Sequence, residues 1–361
     1  MPERQTVILD ASWHAYTLTL RQPWTSARGI TSERNGWLLR LRDDRGRLGL
    51  GDCAPLPGAG TETDDAAKRA LADAAARIRG KPLIAAFESL PDAPSPTPAV
   101  RCACETALLD LQARARDLPL HSLLAPDSSP QVRVNAMIGA YRDWPVLARR
   151  AIDSGFAVMK LKVGTAAPAT ELAALRSLLA ELPANVRLRL DVNRGWSLAT
   201  AREILPGLDA TRIEAVEEPA CDASNDQLRA LQATVPFAIA LDESLHTDSM
   251  ESLPVRRQVL KPMAAGGLLP ILALAAGNGR ETVVTTSVDS AIGVRAACHV
   301  AAALGNDLAH GLATGDWLQT DFAPPLPISR GLLHLPAAAG LGLVFSRAPQ
   351  VSVTAIGGET P

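Results

Sequence analysis

The stretch RLRLDVN (187–193) alternates arginine with leucine and sets Asp191 where the run ends. A period of two describes a β-strand with unlike faces, and an acid closing such a strand is costly to bury without a partner. IEAVEEP (213–219) and FAIALDES (237–244) repeat the device with Glu217 and Asp242. Upstream, VMKLKVG (158–164) carries Lys160 and Lys162; downstream, RQVLKP (257–262) ends its strand at Lys261. Residues two apart on a strand project to one side, so Lys160 and Lys162 share a face, here the inward one.

The surrounding chain repeats strand, loop and helix. Strands are expected at VNAMIG (134–139), AVMKLKV (157–163), VRLRLDV (186–192), IEAVEEP (213–219), FAIALDE (237–243), RQVLK (257–261) and TVVTTS (282–287), with a short one near LAHGL (308–312). Helices such as ATELAALRSLLAEL (169–182) and SAIGVRAACHVAAAL (290–304) lie between them. A strand start roughly every 20–30 residues suits eight βα units. Such alternation permits an open doubly wound sheet or a closed barrel. The first strand runs into GAYRDW (139–144), with no G-x-G-x-x-G, and the charged residues end several strands rather than one crevice. Both features favour a barrel.

Before the barrel, residues 7–55 read as antiparallel strands, 64–80 and 99–118 as helices, and 90–98 as a Pro-rich loop. The expected fold is α/β: a (β/α) barrel over residues 129–320, with an N-terminal α+β domain over 1–128. Residues 321–361 are expected to return and complete that first domain.

The 361 residues are 47% apolar, enough for a large core, and 36 Lys plus Arg against 38 Asp plus Glu leave a net charge of -2. That balance gives no electrostatic reason to expect nucleic acid or an anionic membrane as partner. Five scattered cysteines (Cys53, Cys102, Cys104, Cys221, Cys298) do not form a disulfide framework, and Cys102 and Cys104 read as helix-core residues. No apolar leader opens the chain, and the longest apolar stretch, 264–277, is short and broken by Gly and Pro. A cytoplasmic protein is expected.

Around a ring, Asp191, Glu217 and Asp242 come from consecutive units and converge on one sector. Carboxylates brought that close take up protons unless a cation intervenes. Oxygen-only ligands suit Mg²⁺, with Mn²⁺ as substitute. Lys261 faces the Lys160–Lys162 pair across the cavity. Metal between opposed lysines permits proton abstraction next to a carboxylate, the metal stabilising the charge and a screened lysine acting as base. Taken singly each residue has a plainer reading: Asp242 as a helix N-cap, Glu217-Glu218-Pro219 as a solvated loop, Lys-x-Lys as a surface pair. The ordered combination is what argues for a site. Asn193 either orients the metal site or caps a helix. Arg189 either contacts substrate or pairs with a buried acid. The histidines (His14, His121, His246, His299, His310, His334) show no metal-ligand spacing.

At these residues the chain resembles the enolase superfamily, and within it the muconate-lactonizing subgroup, whose sites pair a lysine base with Mg²⁺. The likeness covers nearly the whole chain and implies a modified TIM barrel of (β/α)7β type, with seven strong βα units and a weak eighth, whose N-terminal α+β domain is a capping domain completed by the tail. It rests on GDCAPLPGAGTET (51–63), VNAMI (134–138), KLKVG (160–164), RLDVNRGW (189–196), VEEP (216–219), ALDESL (240–245), VLKPMAAGG (259–267), TTSVDSAIG (285–293) and HGLATGDWL (310–318). It implies Asp191, Glu217 and Asp242 as Mg²⁺ ligands, with Glu217 preferred to Glu218. The Ser-rich stretch after the seventh strand (Ser287, Ser290, Gly293) and the PLPG loop make the chain most similar to the o-succinylbenzoate synthases. Two positions depart from the family pattern: Asp52 stands where Glu is usual, and Ala291 where Ser is common.

The resemblance implies an Mg-dependent syn dehydration of 2-succinyl-6-hydroxy-2,4-cyclohexadiene-1-carboxylate to o-succinylbenzoate, through an enediolate, in menaquinone biosynthesis. Lys162 is then the base, Lys261 a cation over the ring, and Lys160 a contact to the carboxylate that lowers the basicity of Lys162. Ser287, Ser290 and Gly293 hold the succinyl end, and the loops PWTSARGIT (23–31) and PLPGAG (55–60) close the mouth. An N-acylamino acid racemase or dipeptide epimerase would instead use Lys162 and Lys261 as opposed bases. A non-catalytic binding protein is the alternative from another class. The expected partner is a small-molecule carboxylate, with no nucleic acid, no membrane and the oligomeric state open.

Overall fold

A computed structural model describes residues 5–26, 29–245 and 253–343, without the side chains of 24–26 and 29–30. Strands β1 (Ile8–Ser26), β2 (Gly29–Asp43) and β3 (Leu48–Cys53) form an antiparallel meander. Helices α1 (Asp64–Ile78), α2 (Leu83–Glu88), α3 (Pro98–Ala115) and α4 (Leu120–Leu124) complete the N-terminal section. β3 lies directly on α3: a Cβ at Gly51 would stand 1.9 Å from the Ala103 carbonyl oxygen. Only glycine permits that approach. The stretch 23–31, expected as a loop, is instead the end of the β1–β2 hairpin, with Trp24 paired to Thr31 and Thr25 to Ile30. Its residues 27–28 lie outside the described residues.

The next strands are β4 (Gln131–Arg133), β5 (Ala136–Gly139), β6 (Val158–Lys162), β7 (Arg187–Asp191), β8 (Ile213–Glu217), β9 (Ala238–Leu241), β10 (Arg257–Leu260) and β11 (Glu281–Val284). Between them run α5 (Trp144–Asp153), α6 (Pro168–Glu181), α7 (Leu198–Ile204), α8 (Asn225–Ala233), α9 (Pro262–Ala265) and α10 (Leu268–Asn278), and α11 (Ala291–Leu304) follows β11. Strands β5 to β11 form one parallel sheet in sequence order. Nearly all their residues from β7 onward are buried, as expected where both faces of a parallel sheet are covered. The eighth strand expected at 308–312 is reduced to two isolated parallel bridges, Val134–His310 and Thr285–Gly311. Two contacts around a glycine do not extend into a ladder, but they link the two edges of the curled sheet.

The tail supplies β12 (Ile328–Ser329) and β13 (Leu332–His334), and β13 pairs with β4 rather than with the meander. The tail reaches the N-terminal helices through Gly340, which bonds to the backbone of Leu118 and Leu120. Residues 344–361 lie outside the described residues. The cap also grips the barrel through Glu105 of α3, which accepts the N–H groups of Leu268 (2.5 Å) and Leu269 (2.9 Å) and so caps α10. No helix among the described residues is long and apolar enough to cross a membrane.

Candidate active site

Strand register sets the site. Lys162 of β6 is paired with Asp191 of β7, and Asp191 with Glu217 of β8. Asp242 follows β9 by one residue and Lys261 follows β10 by one. The loop after Lys162 is fixed by Glu171, whose carboxylate accepts the N–H groups of Gly164, Thr165 and Ala166 at 2.7–3.0 Å.

Lys160 stands between two acids, its Nζ 2.8 Å from Asp191 Oδ2 and 2.8 Å from Glu217 Oε1. Burial works against its charge, but Asp191, Glu217 and Asp242 outweigh that and hold its pKa above the usual lysine value. Glu217 is pushed up to about 8, first by burial and then, against the pull of Lys160, by Asp191 and Asp242. Lys261 donates to Asp242 Oδ1. Lys162 is half-buried and makes no hydrogen bond or ion pair with the described residues.

Behind these groups stands a supporting layer. Glu218 turns away from the ring with a left-handed φ of 48° and accepts Asp242 N, Ser244 N and Ser244 Oγ, each at 2.7 Å. It therefore fixes the backbone that carries Asp242. Asn193, also at positive φ, donates its N–H to Asp191 Oδ1 at 3.2 Å and its side-chain amide to Glu243 Oε1 at 2.8 Å. The next helix, α7, is capped by Ser197. Asn193 thus orients acids rather than capping a helix.

Three of the candidate substrate residues are engaged elsewhere in the fold. Arg189 is 2% exposed; its guanidinium pairs with Glu214 at 2.9 and 3.2 Å and bonds to Asn135 Oδ1 and the Ala309 carbonyl. It belongs to the barrel floor: all three of its nitrogens are engaged by buried partners, which take four of the five N–H donors. Ser290 is the N-cap of α11, accepting from Ile292 N and donating to Asp52 Oδ2 at 2.7 Å. Gly293 lies inside α11, where a Cβ would come within 2.8 Å of both Asp52 Oδ2 and Asp289 Cβ. It makes room for those acids. Ser287, whose N–H points to Asp289 Oδ1 at 3.3 Å, sits after β11 beyond the sheet.

Asp52 and Tyr16 were not expected as partners. Tyr16 Oη donates to Asp52 Oδ1 at 2.5 Å, and burial raises the pKa of both groups. Nothing local in either sequence neighbourhood announces this contact. The barrel floor was equally hidden, with Glu214 shared by Arg189 and Arg257 and His310 Nδ1 accepting Val284 N. The visible sign was an arginine at an inward strand position.

Among the described residues no three acid, cysteine or histidine groups stand together as an ion's ligands; the lysines hold the acids instead. The donor set nevertheless suits Mg²⁺. It offers only carboxylate oxygens, the hard ligands that this ion takes.

Comparison with known proteins agrees with the architecture. "Enolase C-terminal domain-like" matches residues 144–348, and "Mandelate racemase / muconate lactonizing enzyme, N-terminal domain" matches residues 10–125. An o-succinylbenzoate synthase of Thermosynechococcus vestitus is 35% identical over 239 residues, 64% of this chain and 68% of its own. A chloromuconate cycloisomerase of Pseudomonas putida is 29% identical over 256 residues, 67% of this chain and 69% of its own. A dipeptide epimerase from Methylococcus capsulatus, solved with Mg and the dipeptide L-Arg-D-Lys, matches with a TM-score of 0.84 at 26% identity, over 94% of this chain and 100% of that one. With both sections of the chain matched and strand-end acids and lysines in one ring, the chain belongs to the enolase superfamily.

Proposed function

We propose that the protein is an o-succinylbenzoate synthase, converting 2-succinyl-6-hydroxy-2,4-cyclohexadiene-1-carboxylate to o-succinylbenzoate and water. The unequal state of two lysines carries this reading. Lys261 is bound to Asp242, whereas Lys162 has no partner among the described residues. One free amine and one held cation suit a dehydration on a single face. Inverting a stereocentre calls for two bases on opposite faces. The 35% identity to a synthase supports the same choice.

Lys162 takes the proton from the ring carbon that bears the carboxylate. The electron pair left behind moves toward the carboxylate, then forms the ring double bond as the neighbouring C–O bond breaks. Hydroxide takes the proton back from Lys162 and leaves as water, so no oxidant or reductant is needed. Mg²⁺ held by Asp191, Glu217 and Asp242 supplies, when bound, electrostatic stabilisation of the carboxylate oxygens. Lys160 orients Asp191 and Glu217, and the charge of Lys261 faces the ring. The test is ultraviolet detection of o-succinylbenzoate from freshly made substrate, with and without Mg²⁺. Absence of product, together with solvent deuterium entering the α position of an N-acylamino acid or dipeptide, would replace this reading by the epimerase one.

A further inference from the structure

β5 adds one large apolar side chain to the charged ring. Met137 is registered with Lys160. Its neighbours Ala136 and Ile138 are 8% and 0% exposed. Side chains alternate along a strand, so Met137 shares the inward face with Lys160 while its neighbours face the helices. Yet Met137 is 37% exposed. The interior of a barrel is normally filled by side chains; an inward methionine with that much free surface borders open space beside the acids.

Met137 is also held in place. Asn135 Nδ2 donates to its Sδ at 3.5 Å, and Asn135 Oδ1 accepts from Arg189 Nη1 at 3.2 Å. Arg189 is in turn anchored on Glu214. The floor ion pair therefore reaches up through a fully buried asparagine to the thioether.

We propose that Met137 is a specificity-determining residue whose thioether forms the apolar wall against the substrate's unsaturated six-membered ring. This deepens the synthase reading and rests on it. The other ring positions (Lys160, Lys162, Asp191, Glu217, Asp242, Lys261) all end in charged groups, and their apolar surface is limited to side-chain stems. A polarizable sulfur packs favourably on a π system and adapts to a ring that flattens as it becomes aromatic.

The test is steady-state kinetics of Met137→Ala, Met137→Leu and Met137→Gln in the Mg²⁺-loaded enzyme, with calorimetric titration of o-succinylbenzoate. Met137→Ala and Met137→Gln should raise KM by about tenfold with kcat little changed, and weaken product binding to match. Met137→Leu should restore most of the affinity. An unchanged KM in the Ala variant overturns the proposal; should that variant not fold, the length-matched Gln variant decides in the same way. A fall in kcat at constant KM in all three would also overturn it, marking a structural role. Wild-type protein that forms no o-succinylbenzoate defeats the synthase reading itself. Wild-type turnover with KM unmoved by substitution defeats only the assignment of Met137.

Discussion

Ser290 donates its hydroxyl to Asp52 at 2.7 Å across the seam between cap and barrel. The same carboxylate accepts Ser290 N at 3.1 Å and the Tyr16 hydroxyl at 2.5 Å. Gly293 leaves the space that Asp52 needs. An aspartate thus ties a cap strand to the start of the barrel's last helix, next to the loop that carries Ser287.

Asp52→Ala should therefore strand three buried donors. A loss of about 2–3 kcal/mol is expected, seen as a lower urea midpoint at unchanged slope. A midpoint equal to wild type would mean that water takes over the acid's place.

Lys162→Ala should lower turnover by about 10²–10⁴-fold, the range for removal of a general acid–base group. Circular dichroism and the Mg²⁺ titration should match wild type. Substantial residual turnover would remove Lys162 from its role.

Glu214 makes stability depend on acid. Burial alone would raise its pKa, but Arg189 and Arg257 outweigh that and pull it down from 4.5 to about 2. A depressed folded pKa contributes stability that is complete above the unfolded value and lost as pH falls from about 4.5 to about 2. The contribution is on the order of 3 kcal/mol. Urea unfolding as a function of pH should show this loss in wild type and a flatter profile in Glu214→Gln. Equal profiles would disprove the coupling.

Chelation should abolish turnover, and Mg²⁺ or Mn²⁺ should restore it. Added Mg²⁺ should also raise the thermal midpoint in proportion to the logarithm of its concentration, because it binds the folded state. In Glu217→Gln both the shift and the recovery should be strongly reduced. A midpoint indifferent to Mg²⁺ in wild type would count against the metal site.

Much of the barrel was legible because its signals are local. RLRLDVN, IEAVEEP and FAIALDES each show a strand and an end charge within seven or eight residues, and each became β7, β8 and β9. LAHGL carried too little pattern to show that only two bridges would form. Arg189 could be read two ways because its partner Glu214 lies 25 residues away on another strand. Ser290 looked available for substrate because Asp52, 238 residues earlier, cannot be inferred from its neighbourhood.

By itself the sequence determined the strand ends, the inward side of each strand and the order of acids and lysines around the ring. Side-chain alternation and βα repetition are properties of short segments, readable without knowing what they touch. Only the tertiary structure decided which groups are spent on each other: Arg189 on Glu214, Ser290 on Asp52, Lys261 on Asp242, with Lys162 left half-buried without a partner among the described residues and Met137 partly exposed. Hydrogen bonds and ion pairs form over a few ångströms, and which groups come that close is fixed by how the sheet curls and where the cap lands, not by distance along the chain.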